Sequence, residues 1–483
     1  MKSAFQFVNL PNFFILSIVC FFPTLAYAEA TMVEPLDLKQ HFVGYFAIAI
    51  TVLAYILAMT EDLHQLSKAK PMVLGSALIW FAIFIYYSYT TGSAKNVAVV
   101  FQSNLMSYAE LFLFITVSMT FLNSMTERGI FDALRIVLGN KQYSYRQLFW
   151  ITGALAFLLS TVISSLTVGL LMGYIILKIG KNQPNFVGLA GLNAVVAANA
   201  GGTMSPLGGI STFFVWQQNA LHFTEFFTLT LPCLVNFIVP AAIMHFSVTK
   251  EKPAFSQETP EIKRGSKRII GIFIFTFTIT ILSNIFLDMP AIAGMIFGLS
   301  ILQFFAYFLT KTEKLSHFLV PHTHETIDAN KGFDVFKCIA GVDWDTLLFF
   351  YGAMMIVGAL SYLGYLDAMA HYLFTQISPT IANVLIGLSS ACIDNGTLMF
   401  AVLNMHPDFP NGQWLLLTLT LGVGGSLLAI GSAPGLHVLG LMKGSMKEGE
   451  GYTFTLHLRW MPAILLGFIA SICTLYLING GKF

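Results

Sequence analysis

The stretch Ser389-Ser390-Ala391-Cys392-Ile393-Asp394-Asn395-Gly396-Thr397 decides how this chain is read. It sets an acid, an amide and three hydroxyls between two apolar runs, 371–391 and 394–405. The second run is too short to cross a bilayer. A carboxylate inside apolar sequence is costly and marks a functional position by default. A break in the helix at that depth is tolerated only where the backbone lines a cavity or is buried in protein.

The rest of the sequence supports a membrane setting for this stretch. Of 483 residues, 56% are hydrophobic and only 10% are charged, against about 25% charged in a soluble domain. That is too little charge to cover a soluble surface, so a soluble enzyme and a disordered chain are excluded. With 25 Lys+Arg against 24 Asp+Glu, no basic excess exists for nucleic acid. The apolar runs are continuous and do not alternate, which excludes a β-barrel. The expected class is an all-α polytopic membrane protein with about 11–13 membrane segments, each near 20 residues. The cysteines Cys20, Cys233, Cys338, Cys392 and Cys473 are scattered and form no CxxC pair, so they read as buried small hydrophobes.

Residues 1–28 read as a signal peptide or first apolar segment: Lys2, a short apolar core from Phe13 to Phe22, Pro23, then Ala26-Tyr27-Ala28. Apolar segments follow at 42–59, 72–91, 105–123, 148–179, 187–216, 226–248, 269–288, 290–309, 345–363, 371–391, 394–405, 414–441 and 460–478. Segments 148–179 and 187–216 are too long, or too rich in Gly, Asn and Ser, for single straight helices. The charges orient the chain. Lys68, Lys70, Arg128, Arg135, Lys141 and Arg146 fall on one side, as the positive-inside rule expects. The polar stretch 249–268 carries Lys250, Lys252, Lys263, Arg264, Lys267 and Arg268 and reads as a cytoplasmic basic linker. It divides an N-terminal half, 42–248, from a C-terminal half, 269–483.

The halves resemble each other. Phe112–Leu134 contains Gly129-Ile130-Phe131-Asp132-Ala133, and Leu347–Met369 contains Gly364-Tyr365-Leu366-Asp367-Ala368. Gly201-Gly202 with Gly208 matches Gly424-Gly425 with Gly431 at the same spacing. The loop after Gly129 is basic, whereas Ser361–Gln376 contains no Lys or Arg. Opposite charge bias puts the two loops on opposite faces, the mark of two inverted repeats with broken helices and re-entrant hairpins.

Asp394 heads the candidate site. A partly desolvated carboxylate can swap a proton for a cation, the core of antiport. Asn395, Thr397 and Ser389 offer neutral oxygens that suit a hard ion such as Na⁺. The Gly-rich elements around Asn199, Ser205 and Ser432 read as broken-helix tips whose carbonyls can hold a cation. Glu110, Asp343 and Asp345 stand at the mouths of spans, and Glu110 and Asp345 share a repeat position; with His437 they are the proton-relay candidates. His322 and His324 read as residues of a solvated loop. No cofactor is expected. No enzymatic chemistry is expected either, because Ser432 and His437 have no orienting third group in sequence and form no nucleophile elbow.

These residues look like the NhaD-type sodium/proton antiporters of the ion-transporter superfamily, which also holds arsenite and dicarboxylate carriers. The resemblance runs from about residue 40 to the C-terminus. It rests on Phe131-Asp132-Ala133-Leu134-Arg135, Tyr145-Arg146-Gln147-Leu148-Phe149-Trp150, Val195–Gly202, Trp344-Asp345-Thr346-Leu347-Leu348-Phe349-Phe350, Gly412-Gln413-Trp414 and Gly422–Ser426. It implies paired hairpins moving as an elevator, a homodimer in the bacterial inner membrane, and Na⁺ or Li⁺ efflux driven by inward protons. It also implies an Asp-Asn pair at each break. The second pair is present as Asp394-Asn395 and places Na⁺ there. Ser164-Ser165 stand at the first, and Leu207-Gly208-Gly209 stands where the family has Phe-Gly-Asp. Gly396-Thr397 replaces an Ile-Pro, and Pro434 replaces an alanine.

The reading is a secondary transporter exchanging Na⁺ (or Li⁺) for H⁺. The alternatives are a small-anion or dicarboxylate carrier and a non-transporting paralogue. For an anion, Ser164, Ser165, Thr167 and Thr397 would offer hydroxyls and helix N-termini, but no Arg or Lys stands near the site in sequence.

Overall fold

The computed structural model describes residues 37–483 apart from 65, 254–258, 260–261, 320–332, 448 and 481–483. The expected signal peptide, Cys20, His322 and His324 lie outside the described residues. Among the described residues every regular element is helical, and nine helices are long and apolar enough to cross a membrane.

In chain order the longer helices are α1 (Phe42–Met59), α2 (Ala69–Thr91), α3 (Lys95–Glu127), α4 (Ile130–Asn140), α5 (Tyr145–Ser160), α6 (Ser165–Ile179), α7 (Pro184–Thr203), α8 (Ile210–Gln217) and α9 (Thr230–His245). After the polar stretch come α10 (Ser266–Leu287), α11 (Ala291–Leu319), α12 (Trp344–Tyr362), α13 (Tyr365–His371), α14 (Pro379–Ser389), α15 (Asn395–Asn404), α16 (Asn411–Gly424), α17 (Ala433–Lys443) and α18 (Phe454–Asn479). The segments expected to be interrupted are interrupted. Segment 148–179 is α5 and α6 joined by a turn, 187–216 is α7 and α8, and 414–441 is α16 and α17.

Local chemistry sets these bounds. Ser144 and Gln147 form a reciprocal capping box at the start of α5. Pro184 and Pro379 stand in the first turns of α7 and α14, where a missing N–H costs nothing. Gly129 and Gly364 take φ of 76° and 84° at the starts of α4 and α13, a conformation that side chains resist.

One departure concerns Glu110. Helix α3 begins ten residues before the expected apolar span, at Lys95, because Gln102, Ser103 and Asn104 continue the helix beyond its apolar part. Glu110 therefore lies well inside a long helix and not at its head. The cysteines also divide: Cys233 and Cys338 are buried as expected, whereas Cys392 and Cys473 are exposed.

The helices sort by burial. Phe42–Met59 is buried over 22% of its apolar window, whereas Pro184–Thr203 is buried over 100%. Phe42, Phe81, Phe286, Phe304 and Leu477 are exposed on outer helices and form an apolar surface suited to lipid chains. Helices α2, α3 and α12 make a frame. In it the Trp80 indole N–H donates to the Met355 carbonyl at 2.9 Å, and the Tyr108 hydroxyl donates to the Leu347 carbonyl at 3.2 Å.

Around α7 the two hairpins and two interrupted helices are built alike. Ser160, at the end of α5, donates its hydroxyl to the Ala198 carbonyl at 2.6 Å. Ser390, just past α14, donates to the Leu421 carbonyl at 3.2 Å. A Cβ on Gly201 would strike the Phe157 carbonyl, and one on Gly424 would strike the Gly387 carbonyl. The elements then cross over: Gly169 of α6 packs on Pro434 of α17, and Gly396 of α15 packs on Ile210 of α8. Small residues allow this approach, which lipid alone does not drive.

Overpacking a tight contact costs about 1–3 kcal/mol. Gly201→Val and Gly424→Val will each lower the melting temperature of the purified protein in detergent. Gly139→Ala, which meets open space, will not. Wild-type melting of both valine variants would contradict the tight approach described here.

Candidate cation site

Asp394 is the residue that caps α15. Its Oδ2 accepts from the Thr397 backbone N–H at 3.1 Å and lies 3.4 Å from the Thr397 hydroxyl. The side chain is therefore a helix cap at the break between the two apolar runs. The cap fixes its orientation, and the carboxylate lines a cavity of about 520 Å³. The matching position in the first hairpin, Ser164, precedes α6 without a side-chain cap bond.

The cavity lies at a seam. Tyr55, Lys68, Asp343, Asp345 and Phe349 come from the α1, α2 and α12 side. Cys392, Asp394, Gly431, Ser432 and His437 come from the second hairpin and the second interrupted helix. Of the expected site residues it gathers Asp394, Ser432, Asp343, Asp345 and His437. Ser164, Ser165, Thr167, Ser205 and Glu110 are not among its lining. Ser165 donates its backbone N–H to Gly208 at the first break, the Ser205 hydroxyl accepts from the Leu207 N–H, and Glu110 pairs with Gln217 at 2.5 Å. Ser389 donates to the Ile386 carbonyl of its own helix. Asn395 opens α15 beside Asp394. Asn199 reaches Ser432 from behind the cavity wall, at 2.8 Å.

Tyr55, Glu61, Lys68, Thr346 and Lys443 also line the cavity, and none of them stands out as a site residue in the sequence. Tyr55 lines the cavity wall with Asp394. Lys68 lines the same cavity as Asp394 and lies over the Phe349 ring. The expectation of a site without Arg or Lys is therefore corrected: Lys68 comes from the α1–α2 connection and Lys443 from the end of α17, both distant in sequence from Asp394. Four carboxylates (Glu61, Asp343, Asp345, Asp394) still outnumber the two lysines among the lining residues.

At the rim, the His437 Nε2 lies 3.4 Å from the Asp343 carboxylate, and its Nδ1 lies 2.8 Å from the Ala433 carbonyl. Both ring nitrogens thus face oxygen acceptors. Asp343 also accepts from the Thr346 hydroxyl at 2.7 Å, and Ser67 bonds Asp345. Ser432 is held by Asn199 and the Gly435 N–H, not by His437.

The comparisons with known proteins bear on what such a site handles. A family model described as "Citrate transporter" matches residues 46–422. The protein named Na(+)/H(+) antiporter NhaD of Vibrio cholerae is 44% identical over 480 residues, covering 97% of this chain and 98% of that protein. The protein of the same name from Alkalimonas amylolytica is 43% identical over 464 residues, 94% of each chain. That from Halomonas elongata is 41% identical over 484 residues, 98% of this chain and 96% of that protein. The chain belongs to the NhaD antiporter family. Its membership extends over both hairpins and both breaks, so the Ser164-Ser165 and Asp394-Asn395 asymmetry sits inside a shared scaffold.

Burial pushes the Asp343 carboxyl up, but hydrogen bonds from His437 and Thr346 outweigh it and hold the group below the usual carboxylate range. A depressed folded value contributes stability that is complete above the unfolded value of about 4 and fades as pH falls toward the folded value. Asp343→Asn will therefore flatten the acid limb of melting temperature against pH. An acid limb as steep as that of the wild type would refute the assignment.

Proposed function

We propose that this chain exports Na⁺ in exchange for H⁺, with the Asp394 carboxylate as the shared carrier. It is a multi-pass protein of the bacterial inner membrane, and Na⁺/H⁺ exchange is the activity that its full-length NhaD relatives are named for. The observation that carries the reading is a capped acid at a helix break, lining a cavity whose carboxylates outnumber its lysines.

The mechanism follows from competition. Asp394 can carry a proton or a hard cation, and each excludes the other. With a cation bound, Asn395, Ser432 and the carbonyls of the break supply neutral oxygens. Lys68 offers a compensating charge when the carboxylate is empty. The His437–Asp343 pair lines the same cavity as Asp394 and passes protons to it, with Asp345 beside it. Positive-inside charge places the rim residues Lys68 and Lys443 at the cytoplasmic face, so the cavity is the inward-open path. The matched hairpin contacts support two inverted repeats. Alternating access then moves the hairpins and interrupted helices against the α2, α3 and α12 frame. Li⁺ follows the same route. Two copies form the working unit, as the family resemblance implies.

A small-anion carrier is the second reading. The cavity is far larger than a bare ion, Lys68 and Lys443 line it, and the matching family model carries a citrate description. Labelled succinate and citrate uptake decides between the two.

In everted vesicles, added Na⁺ will collapse the proton gradient through the wild type, while Asp394→Asn will fall to the background of empty vesicles. Unchanged exchange in that variant removes Asp394 as the carrier. Uptake of the labelled anions without Na⁺-dependent proton movement replaces the antiport reading with the second one.

A further inference from the structure

Behind the second break runs a line of buried hydrogen bonds that meets the exchange site above only at Ser432. His457, in the first turn of α18, is 0% exposed. Its Nε2 lies 2.8 Å from the Ser426 carbonyl oxygen. A carbonyl only accepts, so the ring hydrogen is on Nε2. Nδ1 is then the acceptor, and it takes the Tyr452 hydroxyl hydrogen at 2.7 Å. Both nitrogens are satisfied in one neutral tautomer.

The line continues through Ser426. Its hydroxyl accepts one Nδ2 hydrogen of Asn199 at 2.8 Å, and the other goes to the Ser432 hydroxyl, also at 2.8 Å. Ser426 and Ser432 flank the break between α16 and α17, and Ser432 lines the cavity. The order is Tyr452, His457, Ser426, Asn199, Ser432, and each member is buried. The break itself starts from Gly424-Gly425, which gives its backbone little stiffness of its own. Its shape must come from outside, and His457 is the group that pins the Ser426 carbonyl within it. On the far side, Gly431 is pressed against the Ser390 and Ala391 carbonyls of the hairpin that carries Asp394.

We infer that His457 and Tyr452 are positioning residues that fix the shape of the 425–432 break and thereby set which alkali cation the Asp394 site accepts. This rests on the antiport reading and deepens it. Selectivity among hard cations depends on the size, ligand number and rigidity of the oxygen cage. A pinned break holds its oxygens at one spacing. A released break closes or opens around whichever ion enters, so discrimination falls while the carrier chemistry at Asp394 persists.

The test measures apparent KM and maximal rate for Na⁺, Li⁺ and K⁺ in everted vesicles, with melting temperature in parallel. His457→Leu will raise the Na⁺ KM about tenfold, the loss of one buried hydrogen-bond partner, with a smaller change in maximal rate and a weaker preference for Na⁺ over K⁺. His457→Gln, which can still donate to Ser426, will keep most of the wild-type KM and preference. Tyr452→Phe will fall between, and it decides the matter if His457→Leu does not fold. Wild-type KM and ion preference in folded His457→Leu or Tyr452→Phe would overturn the inference. So would a parallel fall of rate, affinity and melting temperature that Gln does not relieve. Absence of exchange in the wild type overturns the antiport reading and this inference with it.

Discussion

A backbone that leaves the helix inside a bilayer must find hydrogen-bond partners within the protein. That constraint shapes the centre of this molecule. Two hairpin turns and two interrupted helices each expose peptide groups at membrane depth, and each turn is answered by the break beside it. Ser160 and Ser390 cap carbonyls of the neighbouring interrupted helices, while Gly201 and Gly424 let the backbones come close enough for this. The fully buried α7 is the post around which these groups assemble. The outer helices have no such demand and can be plain apolar spans.

Satisfying the breaks also creates the chemistry. A hairpin tip that exposes a helix N-terminus invites an acid as its cap, and in the second hairpin Asp394 fills that role. The first hairpin carries Ser164 instead. The scaffold is paired but the charge is not: of the two hairpin caps only Asp394 is an acid, and it lines the cavity. The acids and lysines around it come from both sides of the seam.

Much of this was visible in the residues. The apolar runs gave the spans, and their Gly, Asn and Ser interruptions gave the breaks, because non-helical backbone needs flexible or hydrogen-bonding residues wherever it occurs. Glu110 was misplaced because hydropathy measures the apolar part of a helix, not its length; the polar first turns of α3 remain helical. Cys392 was read as buried because its neighbours are apolar, yet the turn before Asp394 opens it to the cavity. His457 drew no notice as one histidine in an apolar helix, and only its contact with Ser426 shows its place.

The sequence by itself determined the class, the spans, the positions of both breaks and the acid at the second. These are local properties, set by hydropathy and by which residues a turn or cap requires. The tertiary structure alone decided the company that acid keeps. Lys68, Tyr55 and the Asp343–His437 pair reach the cavity from helices far apart along the chain. Packing brings them together, and no local pattern encodes a contact between segments that distant.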